Sequence, residues 1–312
     1  MNKFKLLLLA TGFSISLFSQ TDNNNGNWKE RNVFKTNTTE ADFMVRSGDI
    51  DNLGFGWEDN FNPFSGKSTN SHPYPWDRDS TEILGFDMIM VVSSMGKKDA
   101  PCGGEGYSGS REALITTYGK TTFPLTVSLK EIDTSKIKSV IIQMFVDDFQ
   151  ARTFCSKFEA YINSVRAPYI EKSLNAIDQT GPIGKLLTIV VPKDKLKDFK
   201  AGKVELLIDD NTTGAADGFA IDFIKILINP KVLQYGNVSG KLINEATGKP
   251  IANASIQCGG QTVKTNALGQ YKLLKVPSGL AIISVEVPNK PEQNFTVDVE
   301  ENSSVIEDLM FK

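Results

Sequence analysis

The sequence predicts an all-β fold built from antiparallel sandwiches. Three observations predict it. Short runs rich in β-branched and aromatic residues recur along the chain, at the length of about 4–8 residues that strands favour. Gly, Pro, Asn and Asp cluster between these runs, where turns are needed. No helical periodicity alternates with the runs, which excludes a parallel α/β sheet and leaves a sandwich or jelly roll.

The 312 residues suggest about two domains, at roughly 150 residues each. With 40% hydrophobic and 23% charged residues, the composition excludes disorder, collagen and coiled coil. Thirty-four Lys plus Arg against 37 Asp plus Glu leave a net charge of −3, which argues against a nucleic-acid partner. A single His removes most His-based catalysis and His-ligated zinc.

In chain order, residues 1–19 read as a signal peptide. Lys3 and Lys5 precede an apolar stretch, Leu6 to Phe18, then Ser19 and a polar run. The alternative is an uncleaved anchor. No later apolar run is long enough to span a bilayer, so the expected product has no transmembrane segment after cleavage and is secreted, periplasmic or at the cell surface. Residues 20–42 are rich in Asn and Thr and read as a loose polar lead-in. A jelly-roll-like sandwich is expected over 43–230, with strands over 86–92, 113–118, 125–129, 139–146, 157–162, 186–191, 204–208 and 219–228. Only 193–199 carries a helical turn or two. A boundary falls near Asn229-Pro230.

After that boundary the text changes. A first strand, Val238 to Ile243, leads to Gly248-Lys249-Pro250, a turn signal. Ala254-Ser255-Ile256 follows, then Thr265-Asn266-Ala267-Leu268-Gly269-Gln270-Tyr271 and Val276-Pro277-Ser278-Gly279. This pattern over 236–312 resembles the carboxypeptidase regulatory-like domain. The resemblance implies a small seven-stranded transthyretin-like sandwich, a module that accompanies zinc carboxypeptidases without catalysing. No His-x-x-Glu zinc motif is present in the chain.

The segment 48–79 is long for a loop and rich in aromatics, which marks it as functional. Asp49-x-Asp51-x-x-Gly54 looks like the start of a calcium loop, because hard cations want several converging oxygens. Leu53 and Asn60 stand where an EF-hand needs an oxygen ligand and a Glu, so an EF-hand is rejected. The alternative is that Asp49 and Asp51 cap turns through their own backbone. Asp222 interrupts an apolar strand, where a carboxylate needs solvent, a partner or a metal. Residues 125–228 weakly resemble jelly-roll carbohydrate-binding modules, ending in Ala201-Gly202-Lys203-Val204-Glu205 and Ala220-Ile221-Asp222-Phe223-Ile224. That resemblance implies that Asp222 helps to hold a structural calcium against the N-terminal acids Asp49 and Asp51.

Trp57, Phe61, Phe64, Tyr74 and Trp76 either form a sugar-stacking platform or plug the end of the sandwich as a small core. The candidate ligand-binding residues are Trp57, Phe61, Tyr74 and Trp76. His72 reads as an exposed loop residue. Three cysteines allow one bridge; Cys102 with Cys155 is the candidate pair, and Cys258 reads as a buried small hydrophobe. The doublets Asp147-Asp148 and Asp209-Asp210 end strands. One Asp from each could form a hydrolytic pair, or all four could serve turns or additional calcium. The sequence therefore points to an exported, non-catalytic, calcium-stabilised protein whose partner is a polysaccharide or cell-surface glycan. A structural or adhesive envelope component is the alternative, and a carboxylate-based glycoside hydrolase the second alternative.

Overall fold

The computed structural model describes residues 21–22, 24–73, 89–92, 102, 108–179, 182–215 and 218–312. The proposed signal peptide, Tyr74 and Trp76 lie outside them. A two-stranded ribbon comes first, β1 (Thr21–Asp22) and β2 (Gly26–Asn27). The large sandwich is built from β3 (Asn32–Thr36), β4 (Ala41–Ser47), β5 (Ile89–Val92), β6 (Leu125–Ser128), β7 (Val140–Asp147), β8 (Glu159–Ile162), β9 (Val165–Arg166), β10 (Lys185–Val190), β11 (Lys203–Asp209) and β12 (Gly218–Pro230). One sheet runs in the order β3-β4-β12-β7-β10, with β5 also on β12; the other runs β6-β11-β8-β9. From β5 to β8 and from β9 to β12 each strand passes to the opposite sheet, and neighbours within each sheet pair antiparallel, as in a jelly-roll-like sandwich.

The 13-residue β12 is the spine. Its near-continuous apolar text, Phe219 to Ile228, is that of a strand buried on both faces. Ile224, Ile226 and Ile228 enter the core between the sheets, with Val127, Phe158, Ile162, Val204 and Leu206 opposite. The outer face is also covered. Met44, Ile141 and Leu227 form one apolar patch there with Leu233 of the linker. Phe145, Leu186 and Phe223 form another with Ile50 and Phe64. Between the patches the register aligns Arg46, Lys225, Gln143 and Thr188 across four strands as one polar row. Lys225 is fully buried; its Nζ lies 2.5 Å from Glu40 Oε2 and 4.3 Å from the centre of the Phe64 ring.

The C-terminal module holds β13 (Tyr235–Asn244), β14 (Ser255–Cys258), β15 (Gln261–Lys264), β16 (Gln270–Pro277), β17 (Gly279–Glu286), β18 (Gln293–Val299), β19 (Ser304–Ile306) and β20 (Leu309–Phe311). β19 and β20 both lie parallel to β13, one after the other, as a single interrupted strand. Counted so, seven strands close a two-sheet sandwich over Leu242, Ile256, Leu273, Ile283 and Phe311.

This module is not a separate bead. Leu280 of β17 pairs parallel with Leu187 of β10, which joins one of its sheets to the large sheet. Lys185 Nζ bonds Asp298 at 2.7 Å, Thr188 Oγ1 donates to Ser278 O at 3.2 Å, and Arg152 donates to Asn294 O at 2.8 Å.

Three local expectations need correction: the loose lead-in, the strand at 113–118, and 193–199 as the only helical stretch. The lead-in is not loose: β3 falls inside it and pairs with β4 over five residue pairs. Arg46, fully buried, donates to the carbonyls of Asn25, Asn27, Glu30 and Gly48 and ties the lead-in down. Residues 113–118 are helical, not a strand. They end α1 (Ser108–Tyr118), where Gly119, at φ +70°, donates its N–H to Ile115 O. This stretch is largely exposed, so no sheet neighbour overrides the helix formers Arg111-Glu112-Ala113-Leu114. A second helix, α2 (Pro168–Leu174), has Pro in its first turn and buries Ile170 and Leu174 four residues apart. Residues Lys193–Phe199 form a 3-10 helix, as the sequence suggests. Among the described residues no helix is long and apolar enough to cross a membrane.

Candidate functional site

β4 delivers the chain to Gly48, and residues 48–73 then form a flap over the end of the large sandwich. The anchor for this flap comes from β12. Ile221 pairs with Val146 and Ile224 with Met144, so three steps on β12 match two on β7. The extra residue is a β-bulge, and the core-facing set shifts from Phe219 and Ile221 to Ile224, Ile226 and Ile228. Asp222 sits in that bulge and turns its carboxylate toward the flap. It is 2% exposed; Oδ1 accepts from Leu53 N at 2.9 Å and Oδ2 from Asn52 N at 3.3 Å.

These bonds hold an unusual backbone. Asn52, Leu53 and Gly54 lie in the left-handed region at φ +63°, +59° and +81°. A non-glycine residue there costs roughly 1–3 kcal/mol and needs its surroundings to fix it. Asp51 Oδ1 accepts from Gly54 N at 2.9 Å and Asp51 O from Gly56 N at 2.8 Å, which closes the loop.

The three sequence-predicted acids are thereby brought together: carboxylate oxygens of Asp49, Asp51 and Asp222 lie within 4.8 Å of one another. Burial, with the charges of Asp51 and Asp49 beside it, pushes Asp222 well above the usual carboxylate range. Calcium–oxygen bonds are about 2.3–2.6 Å, so two ligands of one calcium stand at most about 5 Å apart. The trio meets that limit and supplies three hard oxygens of the six to eight that calcium takes. Each oxygen of Asp222 has a second lone pair beyond its amide bond. The residues fit the ion.

Of the proposed platform, Trp57 and Phe61 are stacked at 5.3 Å, almost parallel at 7°. Trp57 also meets Trp28 and Phe145 edge-on and donates from Nε1 to Ile50 O at 3.1 Å. Both rings are half-buried against Ile50, Phe64, Phe145, Leu186 and Phe223. They therefore cap a small core and also line a cleft of about 690 Å³ with Trp28, Asp49, Asp51 and Asp59. Phe64 is buried and belongs to the core alone.

His72 is not the exposed loop residue that its neighbours in sequence suggest. Its side chain is 6% exposed, and Nε2 lies 2.6 Å from Asp147 Oδ2. Phe55 stacks on its ring at 4.1 Å. Burial opposes its charge, but the bond and charge of Asp147 outweigh this and leave the imidazole pKa raised. Burial likewise raises Asp147, against the opposing pull of His72. The partners are 75 positions apart, a pairing that no local signal announces. The other end of the flap meets the C-terminal module: Ser278 Oγ donates to Phe64 O at 2.9 Å and Glu301 N to Ser65 O at 2.8 Å.

The aspartate doublets have structural work. Asp210 is fully buried and accepts from Lys157 N, Thr212 N, Thr213 N and the Thr213 hydroxyl. Asp147, at the end of β7, is bound to His72, and Asp148 follows at φ +59°. Cys102 and Cys155 form a disulfide with Cα atoms 5.7 Å apart. Cys258 is a free buried thiol whose pKa burial pushes up to about 12.

No family model matches the chain, and no curated protein matches it. Solved structures align weakly. A candidate carbohydrate-binding protein from Bacteroides uniformis is 16% identical, over 25% of this chain and 41% of that one, at a TM-score of 0.21. The major pilin subunit BcpA of Bacillus cereus is 10% identical, over 72% and 70%, at 0.19. The pilus adhesin RrgA of Streptococcus pneumoniae is 13% identical, over 53% and 30%, at 0.18. The chain thus spans about two fifths of the Bacteroides protein. Likenesses at these scores carry no argument about this protein's activity.

Proposed function

We propose that this is an exported, non-catalytic binding protein that takes carbohydrate in the cleft between the flap acids and the Trp57–Phe61 pair, with a calcium ion on Asp49, Asp51 and Asp222 holding the flap. The observation that carries the reading is the juxtaposition of the three carboxylates with half-buried indole and phenyl rings around one cleft. Flat rings bury the apolar face of a sugar ring, and carboxylates accept from its hydroxyls. A bound calcium offsets the repulsion among the acids and adds to the Asp222 bonds that hold the left-handed loop. The hydrolase reading is disfavoured by the saturated hydrogen bonding of Asp210 and by the His72–Asp147 pair.

A glycan array probed with the mature chain, with calcium and with chelator, tests this. Binding to a polysaccharide class that weakens under chelation is the expected result. Absence of binding to every glycan would turn the account to the second reading, a structural or adhesive surface component. That reading draws support from the join between the two sandwiches, which makes a stiff spacer. Pull-down from envelope extracts then reports the partner.

A further inference from the structure

A second cleft, of about 580 Å³, borders the same 58–61 segment. Its walls come from two parts of the chain: Asn60, Asn62 and Asn70 of the flap, and Glu300, Glu301 and Asn302 of the C-terminal module. Both clefts share Glu58, Asp59, Asn60 and Phe61, so they adjoin along this segment. The walls are built in advance. Glu301 N bonds Ser65 O, Asn302 N bonds Tyr235 O, Ser303 closes the turn onto Glu300 O, and Asn70 N bonds Glu58 Oε1 at 2.6 Å. The other carboxylate oxygen of Glu58 is buried and has no hydrogen-bond partner among the described residues.

The chemistry of the two clefts is that of a hydroxyl- and amine-binding surface. Carboxamides offer paired donors and acceptors at Asn60, Asn62, Asn70 and Asn302, and Phe61 offers a ring to stack on. The charge balance narrows the ligand. Asp49, Asp51, Glu58, Asp59, Glu300 and Glu301 line the two clefts with Lys29 and Lys67. With calcium on Asp49 and Asp51, the other four carboxylates still outnumber the two ammonium groups, a balance that disfavours uronates and sulfates and favours ammonium groups.

We propose that the two clefts form one extended site for a polysaccharide chain bearing free amines, such as a deacetylated amino-sugar polymer, laid across Phe61 from the flap onto the C-terminal module. The inference rests on the carbohydrate reading above and adds the length and charge of the ligand. It also explains why the C-terminal module is docked: the module supplies one wall.

The test is calorimetric titration of the mature chain with glucosamine oligomers from dimer to hexamer, their N-acetylated counterparts, and oligogalacturonate, alongside a panel of neutral polysaccharides. The expected result is at least tenfold tighter binding of the hexamer than of the dimer, and of amine over acetylated hexamer, both shrinking as salt rises. Glu300→Gln, at an exposed position, should weaken the hexamer severalfold and leave the dimer unchanged; Asp59→Asn, in the shared segment, should weaken both. Equal affinity for dimer and hexamer, a preference for galacturonate, or a hexamer indifferent to both substitutions overturns the extended amine-binding site while any neutral-glycan binding keeps the carbohydrate reading. No binding to any member of either set overturns both.

Discussion

Replacing Asp222 in two ways separates its hydrogen bonds from its charge. Asp222→Ala removes the acceptor for Leu53 N and Asn52 N, both buried. Each orphaned amide costs about 1–3 kcal/mol, so without metal the expected loss is about 2–6 kcal/mol, or roughly 4–24 °C in melting temperature for a domain of this size. Asp222→Asn keeps one carbonyl acceptor for the two loop amides, turns an NH2 toward the other, and relieves the repulsion among the three acids. In chelator it should melt within about 3 °C of the wild type or above it, since one kcal/mol is worth about 2–4 °C here. Calcium inverts the order. At a hundredfold excess over its dissociation constant, an ion bound only by the folded state adds about 2.7 kcal/mol, and the wild type alone should gain it. Thermal melts of the three proteins, in chelator and in calcium, read all of this. Asp222→Asn melting as low as Asp222→Ala in chelator, or calcium shifting all three equally, refutes the reasoning.

Three further outcomes follow from the fold. His72 has a raised pKa in the folded state, so its contribution is complete below its unfolded value of about 6.5 and is lost as the pH rises through the folded value. Protection of the flap amides, taken relative to their intrinsic exchange rates, should therefore fall as the pH rises past the unfolded value of His72, and His72→Ala should remove that dependence. Glu40→Gln removes the carboxylate 2.5 Å from the buried Lys225 ammonium and should cost about 3–5 kcal/mol in urea unfolding, most of it recovered in the double variant with Lys225→Met. Gly66→Ala places a Cβ 2.1 Å from Val299 O and 2.7 Å from Gly279 N, at φ +89°. The flap must lift from the module, at about 1–3 kcal/mol, and limited proteolysis should cut within 60–70 faster.

What could be read from the sequence was set by how local each signal is. The apolar run of β12 and the Gly- and Pro-marked turns announce a sandwich, because burial and turn geometry act on neighbouring residues. The oddity of Asp222 in an apolar strand was also visible. The bulge that aims it was not, since a register shift belongs to a pair of strands. His72 and Asp147 share the same obscurity across 75 positions. Nothing in the strands of Arg46, Lys225, Gln143 and Thr188 taken singly marks these residues out. Only the register makes them one row, and only the docked module and flap bury most of it. α1 was misread because its Leu-Ile-Thr-Thr-Tyr text has strand propensity, while Gly119 and the lack of a sheet partner decide for helix.

The most direct measurement is an anomalous diffraction map from crystals grown with calcium. The account predicts one strong peak at about 2.4 Å from oxygens of Asp49, Asp51 and Asp222 together, with the flap ordered around it. A map with no peak among those three carboxylates, at calcium concentrations that saturate ordinary sites, contradicts it.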